Sequence, residues 1–284
     1  MNTEERIILK KLITLSKGEQ LLKFLLEEEK QQIDKLQPPF FDENLNLLSQ
    51  KSFLDFVHYS WFVPLLQQYN ETEKHCFLTL FTAKQQNKLK QMLKVNPSLT
   101  IDLPPLAKKF FLNKLIYLLL NPEKTLLPIN FLPTSPLNFL LFKTKDEILE
   151  IIDFLSLYDL SNSFAHIIDK TTIDKITSLL TIKQKKFLNR NLKEPFYFPP
   201  IDFKTWDGNV FSLQNILHKR GLWRFKLALT SQNKSFIWYI AHILDNGRGT
   251  ILLNQEAKQD LALCQYIIKD IETVDNYLNE RRKT

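Results

Sequence analysis

The chain has 284 residues, of which 44% are hydrophobic, a formal charge of +7 and only 5 Gly. So few glycines leave little for phosphate loops or positive-φ turns, which weighs against Rossmann and P-loop architectures. The charge is scattered and comes mainly from Lys, with 7 Arg among 38 basic residues, whereas nucleic-acid sites lean on Arg for bidentate and stacking contacts.

The opening MNTEERIILKK is charged and amphipathic, so no signal peptide is expected. A first helix is predicted over residues 4–16, with Ile8, Leu12 and Leu15 on one apolar stripe and Lys17-Gly18 ending it. A second is predicted from about Glu19, carrying Leu21, Leu22, Leu25, Leu26, Ile33 and Leu36, with Glu27 to Glu29 as a solvated face. Gln37-Pro38-Pro39 stops it, and residues 45–48 and 53–59 lead into the next unit.

Residues 65–93 and 164–192 read as two copies of one unit at an offset of 99. That offset places Asn70 on Asp169, Phe77 on Ile176, Leu80 on Leu179, Thr82 on Thr181 and Leu93 on Leu192. In each, a polar turn precedes an apolar helix. A capping box then follows, Thr82 with Gln85 and Thr181 with Gln184, where side chains satisfy the orphan amides of a new helix. A looser third copy spans 228–244, with Asp245-Asn246-Gly247-Arg248-Gly249 in place of the box. One helical pair cannot bury its own apolar face, so repeated units must stack on one another or on partners.

Between the copies, residues 110–120 form the most apolar run, too short to span a bilayer and expected as a buried helix. Pro122, Pro128, Pro133 and Pro136 then punctuate an apolar stretch expected to lie extended against a helix layer. Residues 195–200 mark a second boundary, and Trp206-Asp207-Gly208 a turn. A long last helix is predicted over 255–281, with Ala257, Leu261, Cys264, Ile268, Ile271 and Leu278 on its stripe and Asp275 interrupting it. The implied division is 1–50, 51–142, 143–200 and 201–284.

Candidate sites are few. The five histidines lack metal-ligand spacing, Cys76 and Cys264 have no CxxC partner, and no catalytic signature appears. No enzyme activity, cofactor or metal is expected, and the cysteines read as buried thiols of a cytosolic chain. Gly247-Arg248-Gly249 could cradle a phosphate with Arg248 as anchor, or serve as a helix stop, the more frequent use of such glycines. Lys219, Arg220, Trp223 and Arg224 combine cations with an aromatic. They fit either a partner-binding surface or solvated charge around a core Trp. With Arg248 they form the candidate partner-binding set. Phe236, Trp238 and Tyr239, like Tyr59, Trp61 and Phe62, read as core.

The quoted repeat segments resemble the armadillo-type units of the flagellar motor switch protein FliG family, in which a helix end, a polar turn, an apolar helix and a capped helix recur. The segment LKKLITLSKGEQLLKFLLEEEKQQIDKL is also similar to that family's start. Resemblance touches about half of the chain. Asn70-Glu71-Thr72-Glu73 stands where an EHPQ-type motif would be expected, and the charge pattern of a torque helix is absent. The resemblance implies an all-α fold: a right-handed stack of short FliG-like repeats with an N-terminal helical hairpin and a long C-terminal helix. It further implies a bacterial scaffold on the cytoplasmic face of a type III secretion or flagellar-type basal body. Such a scaffold would bind ring or sorting-platform proteins and be peripheral to the inner membrane through them. The alternative is a basic helical-repeat protein that binds nucleic acid.

Overall fold

The computed structural model describes residues 3–16, 22–36, 53–54, 56–96, 99, 101–120, 126–167, 169–190, 198–203, 206–254 and 260–282. Among them the fold is all-α, with no β-strand, and no helix is long and apolar enough to cross a membrane. The expected breaks at 17–18, 37–39 and 195–197, residues 45–48, Pro122, Leu192 and Ala257 lie outside the described residues. The chain divides into two compact units, residues 1–138 with 233–253 and residues 139–232 with 254–284.

In the first unit, α1 (Thr3–Ser16) forms where expected but turns a different stripe inward. Ile7 and Lys11 are buried, while Ile8 and Leu12 face solvent. Lys11 tolerates this position because its Nζ donates to the Asn130 carbonyl at 3.1 Å and lies 5.6 Å from the Phe131 ring centre. The second helix is shorter than expected: α2 covers Glu27–Asp34, and Leu26 stands exposed before it. Its acidic residues occupy the first turn, where the helix dipole favours negative charge, and the Leu26 N–H donates to Glu29 Oε2 at 3.2 Å.

The first repeat copy comprises α3 (Phe62–Gln67), α4 (Glu71–Leu78) and α5 (Ala83–Leu93). Phe62, Leu66, Phe77, Phe81 and Leu89 form its buried centre, with Tyr59 and Trp61 packed against it. α6 (Pro105–Leu120), read from sequence as a buried helix, inserts only Leu115 fully. The proline-rich stretch is packed but not extended. It coils into 3₁₀ turns at Ile129–Phe131 and Pro136–Phe142, which bury Leu127, Leu132, Leu137 and Leu140.

The second unit is built on α7 (Lys145–Phe164), α8 (Lys170–Leu179), α9 (Ile182–Leu188), α10 (Val210–Leu229) and α13 (Leu261–Arg282). The turn expected at 206–208 forms, with Gly208 at φ 79° and the Asp207 carboxylate accepting from the Asn209 N–H at 2.9 Å. On α13, Cys264, Ile268, Ile271 and Leu278 are buried as expected, whereas Leu261 is exposed. Asp275 interrupts the stripe and pairs with Lys143 at 2.6 Å.

The third copy contributes α11 (Lys234–Ile243) and α12 (Asn246–Leu253) to the first unit. Gly247 and Gly249 lie inside α12, so the sequence stop read there is overturned. Asp245 caps this helix by accepting the Arg248 N–H at 3.2 Å. The three copies therefore share a register that their sequences only partly display. Cap residues Asn70 and Thr82, Asp169 and Thr181, and Asn233 and Asp245 are each 12 positions apart (82 − 70, 181 − 169, 245 − 233). Seven positions after the first cap stand Phe77, Ile176 and Ile240, and eleven positions after it stand Phe81, Leu180 and Leu244, all buried.

Candidate functional site

The sequence-predicted site residues are divided between the two units. Lys219, Arg220, Trp223 and Arg224 lie on α10 in the second unit, and Arg248 lies on α12 in the first. Within α10 the cations divide between solvent and core. Lys219 is exposed and Trp223 is 39% exposed, while Arg224 is 0% exposed.

Arg224 is held from both sides. Its Nη1 donates to Asp159 Oδ1 of α7 at 2.6 Å, and its Nη2 to Asp270 Oδ2 of α13 at 2.7 Å. The guanidinium lies 4.6 Å from the Phe198 ring centre and 5.3 Å from that of Tyr158. Arg220 donates to the other Asp159 oxygen and, through Nη2, to the Pro199 carbonyl at 2.7 Å, with its guanidinium 4.8 Å from the Trp223 ring centre. Two guanidinium groups thus balance two carboxylates, an arrangement that offsets the large cost of burying ions. Two positions before Arg220, the His218 Nδ1–H donates to Asp153 Oδ1 at 2.6 Å, the carboxylate being an acceptor only.

Gly221 explains why these groups reach one another. A Cβ at that position would overlap the Ile152 carbonyl of α7, so glycine lets the two backbones approach. The cations of this segment therefore tie α10 to α7, α13 and residues 198–199, and only Lys219 and the Trp223 edge remain for an outside partner. Sequence reasoning missed Asp159 and Asp270. The signal available was a carboxylate set among apolar residues, in LSLYDLSN and YIIKDIETV.

In the first unit, copies one and three meet through helix ends. The His58 N–H donates to the His242 carbonyl at 2.7 Å, and the Trp61 indole N–H to the Leu244 carbonyl at 2.9 Å. The Asn246 N–H in turn donates to Ser60 Oγ at 2.8 Å. These bonds satisfy groups that helix termini leave without intrahelical partners. His242 is stacked between Trp61 and Trp238, ring centres 4.0 and 3.7 Å away. Burial pushes its pKa down to about 4, opposed by the hydrogen bond to the Trp238 carbonyl. Its Nδ1–H donates that bond at 2.7 Å. A Cβ on Gly249 would overlap both the Ala241 carbonyl and the Trp61 ring. Arg248 pairs with Asp245 one turn earlier and is half-buried.

Neither thiol shows a nucleophile's surroundings. Burial, followed by the nearby Glu73, pushes Cys76 up, and Cys264 lies 3.2 Å from both the Thr230 hydroxyl and the Leu227 carbonyl. Tyr239, whose hydroxyl donates to the Leu127 carbonyl at 3.0 Å, is also pushed up by burial. Among the described residues, no group of three or more His, Cys, Asp or Glu is placed to hold a metal ion. No protein-family model, curated protein or solved structure matches the chain.

Proposed function

We propose that this chain is a non-enzymatic helical-repeat scaffold, an adaptor at the cytoplasmic face of a type III secretion or flagellar-type basal body. The observation that carries the scaffold reading is the cap-to-cap unit of 12 positions, written three times with the same two buried positions. A repeated unit of this kind spends its sequence on stacking and offers its outer helix faces to partners. The charged core groups that chemistry would need, Arg220, Arg224, Asp159 and Asp270, are engaged with one another.

The basal-body assignment rests on the resemblance of the repeat segments to FliG-type units, and it predicts stable binding to a ring or sorting-platform protein. Affinity capture of the full chain from its native cell tests this. Recovery of such a component at a fixed ratio supports the reading, and recovery of no secretion component overturns it.

A further inference from the structure

The helix α6 has the sequence PLAKKFFLNKLIYLLL, apolar on nearly every side, yet only Leu115 is fully buried. A helix apolar all round is ordinarily enclosed on all sides. Here Leu106, Phe110 and Tyr117 are 81%, 62% and 60% exposed. Positions i, i+4 and i+11 fall on one stripe at 3.6 residues per turn, so the three share an outward face. Lys109 flanks that face on one side. Lys114 flanks it on the other, its Nζ 4.7 Å from the Tyr69 ring centre. The helix carries no Asp or Glu, and residues 74–120 hold eight Lys against one acidic residue, Asp102.

We propose that this face of α6 docks on an anionic membrane surface. Leu106 and Phe110 enter the boundary between headgroups and acyl chains, Tyr117 sits at headgroup level, and the lysines meet lipid phosphates. A nucleic acid would find no Arg and no aliphatic complement on this stripe. A membrane supplies both anionic charge and an apolar phase without requiring shape complementarity. The inference stands independently of the basal-body reading.

Flotation of the full chain with phosphatidylcholine vesicles, with and without phosphatidylglycerol, tests it. Wild type should float with the anionic vesicles and far less with the neutral ones, and added salt should weaken the association. The double variant Leu106→Asp/Phe110→Asp should bind at least about tenfold more weakly, from lost apolar insertion and added like charge. Lys109→Ala should weaken binding severalfold. Ile182→Asp, which removes an exposed apolar residue of α9, should leave binding unchanged. Helical content by circular dichroism shows that each variant is folded.

Absence of anionic-vesicle binding, or equal binding by wild type and the aspartate variant, overturns the proposal. So does concentration-dependent self-association lost in the aspartate variant without vesicle binding, which would assign the face to a second copy. Oligonucleotide binding lost in Lys109→Ala but kept in the aspartate variant would assign it to nucleic acid.

Discussion

Both units bring helices together over a glycine, but they seal the approach by different chemistry. In the second unit, Gly221 admits α10 to α7, and the contact is completed by Arg224 and Arg220 on Asp159 and Asp270. In the first, Gly249 lets α12 close against Ala241 and Trp61, and the contact is completed by stacked rings and shared helix ends. A charge network fails abruptly when one member is removed, because the others are left buried without compensation. An aromatic, hydrogen-bonded junction instead yields in proportion to the groups lost and responds to pH through its imidazole.

The largest expected effect is therefore in the second unit. Asp159→Ala should destabilise it by about 3–5 kcal/mol, since it strands Arg224 in the core. Residue-resolved hydrogen exchange should show α7, α10 and α13 losing protection while α4 and α11 keep theirs. Equal loss in both units would erase the distinction.

The junction of the first unit should lose stability in acid. Unfolded His242 protonates near 6.5, whereas in the fold it stays neutral down to about 4. Between these values the unfolded chain binds more protons. The contribution is complete above pH ~6.5 and falls by about 3 kcal/mol as the pH drops to ~4. Urea midpoints measured across this range should show the decline in wild type and a flatter profile in His242→Phe.

Gly249→Ala should cost about 1–3 kcal/mol through overpacking against Trp61 and the Ala241 carbonyl. Thermal melts with tryptophan fluorescence report it, because Trp61 lies at the contact. Smallest are the caps: Thr82→Ala and Thr181→Ala should each cost about 1 kcal/mol. Near-equal values in denaturant titrations would sharpen the equivalence of the first two copies.

The legible parts of the sequence were those with local rules. Thr82 with Gln85 and Thr181 with Gln184 announce a helix start within four residues, and all four take the expected roles. The third start was hidden because Asp245 is followed by two glycines and has Arg248 where Gln stands elsewhere. A hydrogen bond from its Asn246 N–H to Ser60 Oγ, on a distant segment, holds that helix in place. In α1 the error was one of face. The stripe was read through Ile8 and Leu12, yet Lys11 packs inside while its ammonium reaches a carbonyl. The α10 set was half legible. Its cations stand together in sequence, but Asp159 and Asp270, which decide their role, lie 65 and 46 positions from Arg224, and their apolar settings do not say which cation each one meets.

Amide exchange across residues 249–253 tests the three-copy register most directly. If Asp245 starts a helix as Thr82 and Thr181 do, amides from Gly249 to Leu253 should exchange far more slowly than in open chain. The Gly249 N–H is bonded to the Asp245 carbonyl at 2.8 Å. Open-chain exchange at these five positions would place a helix stop at the glycines and reduce the repeat to two copies.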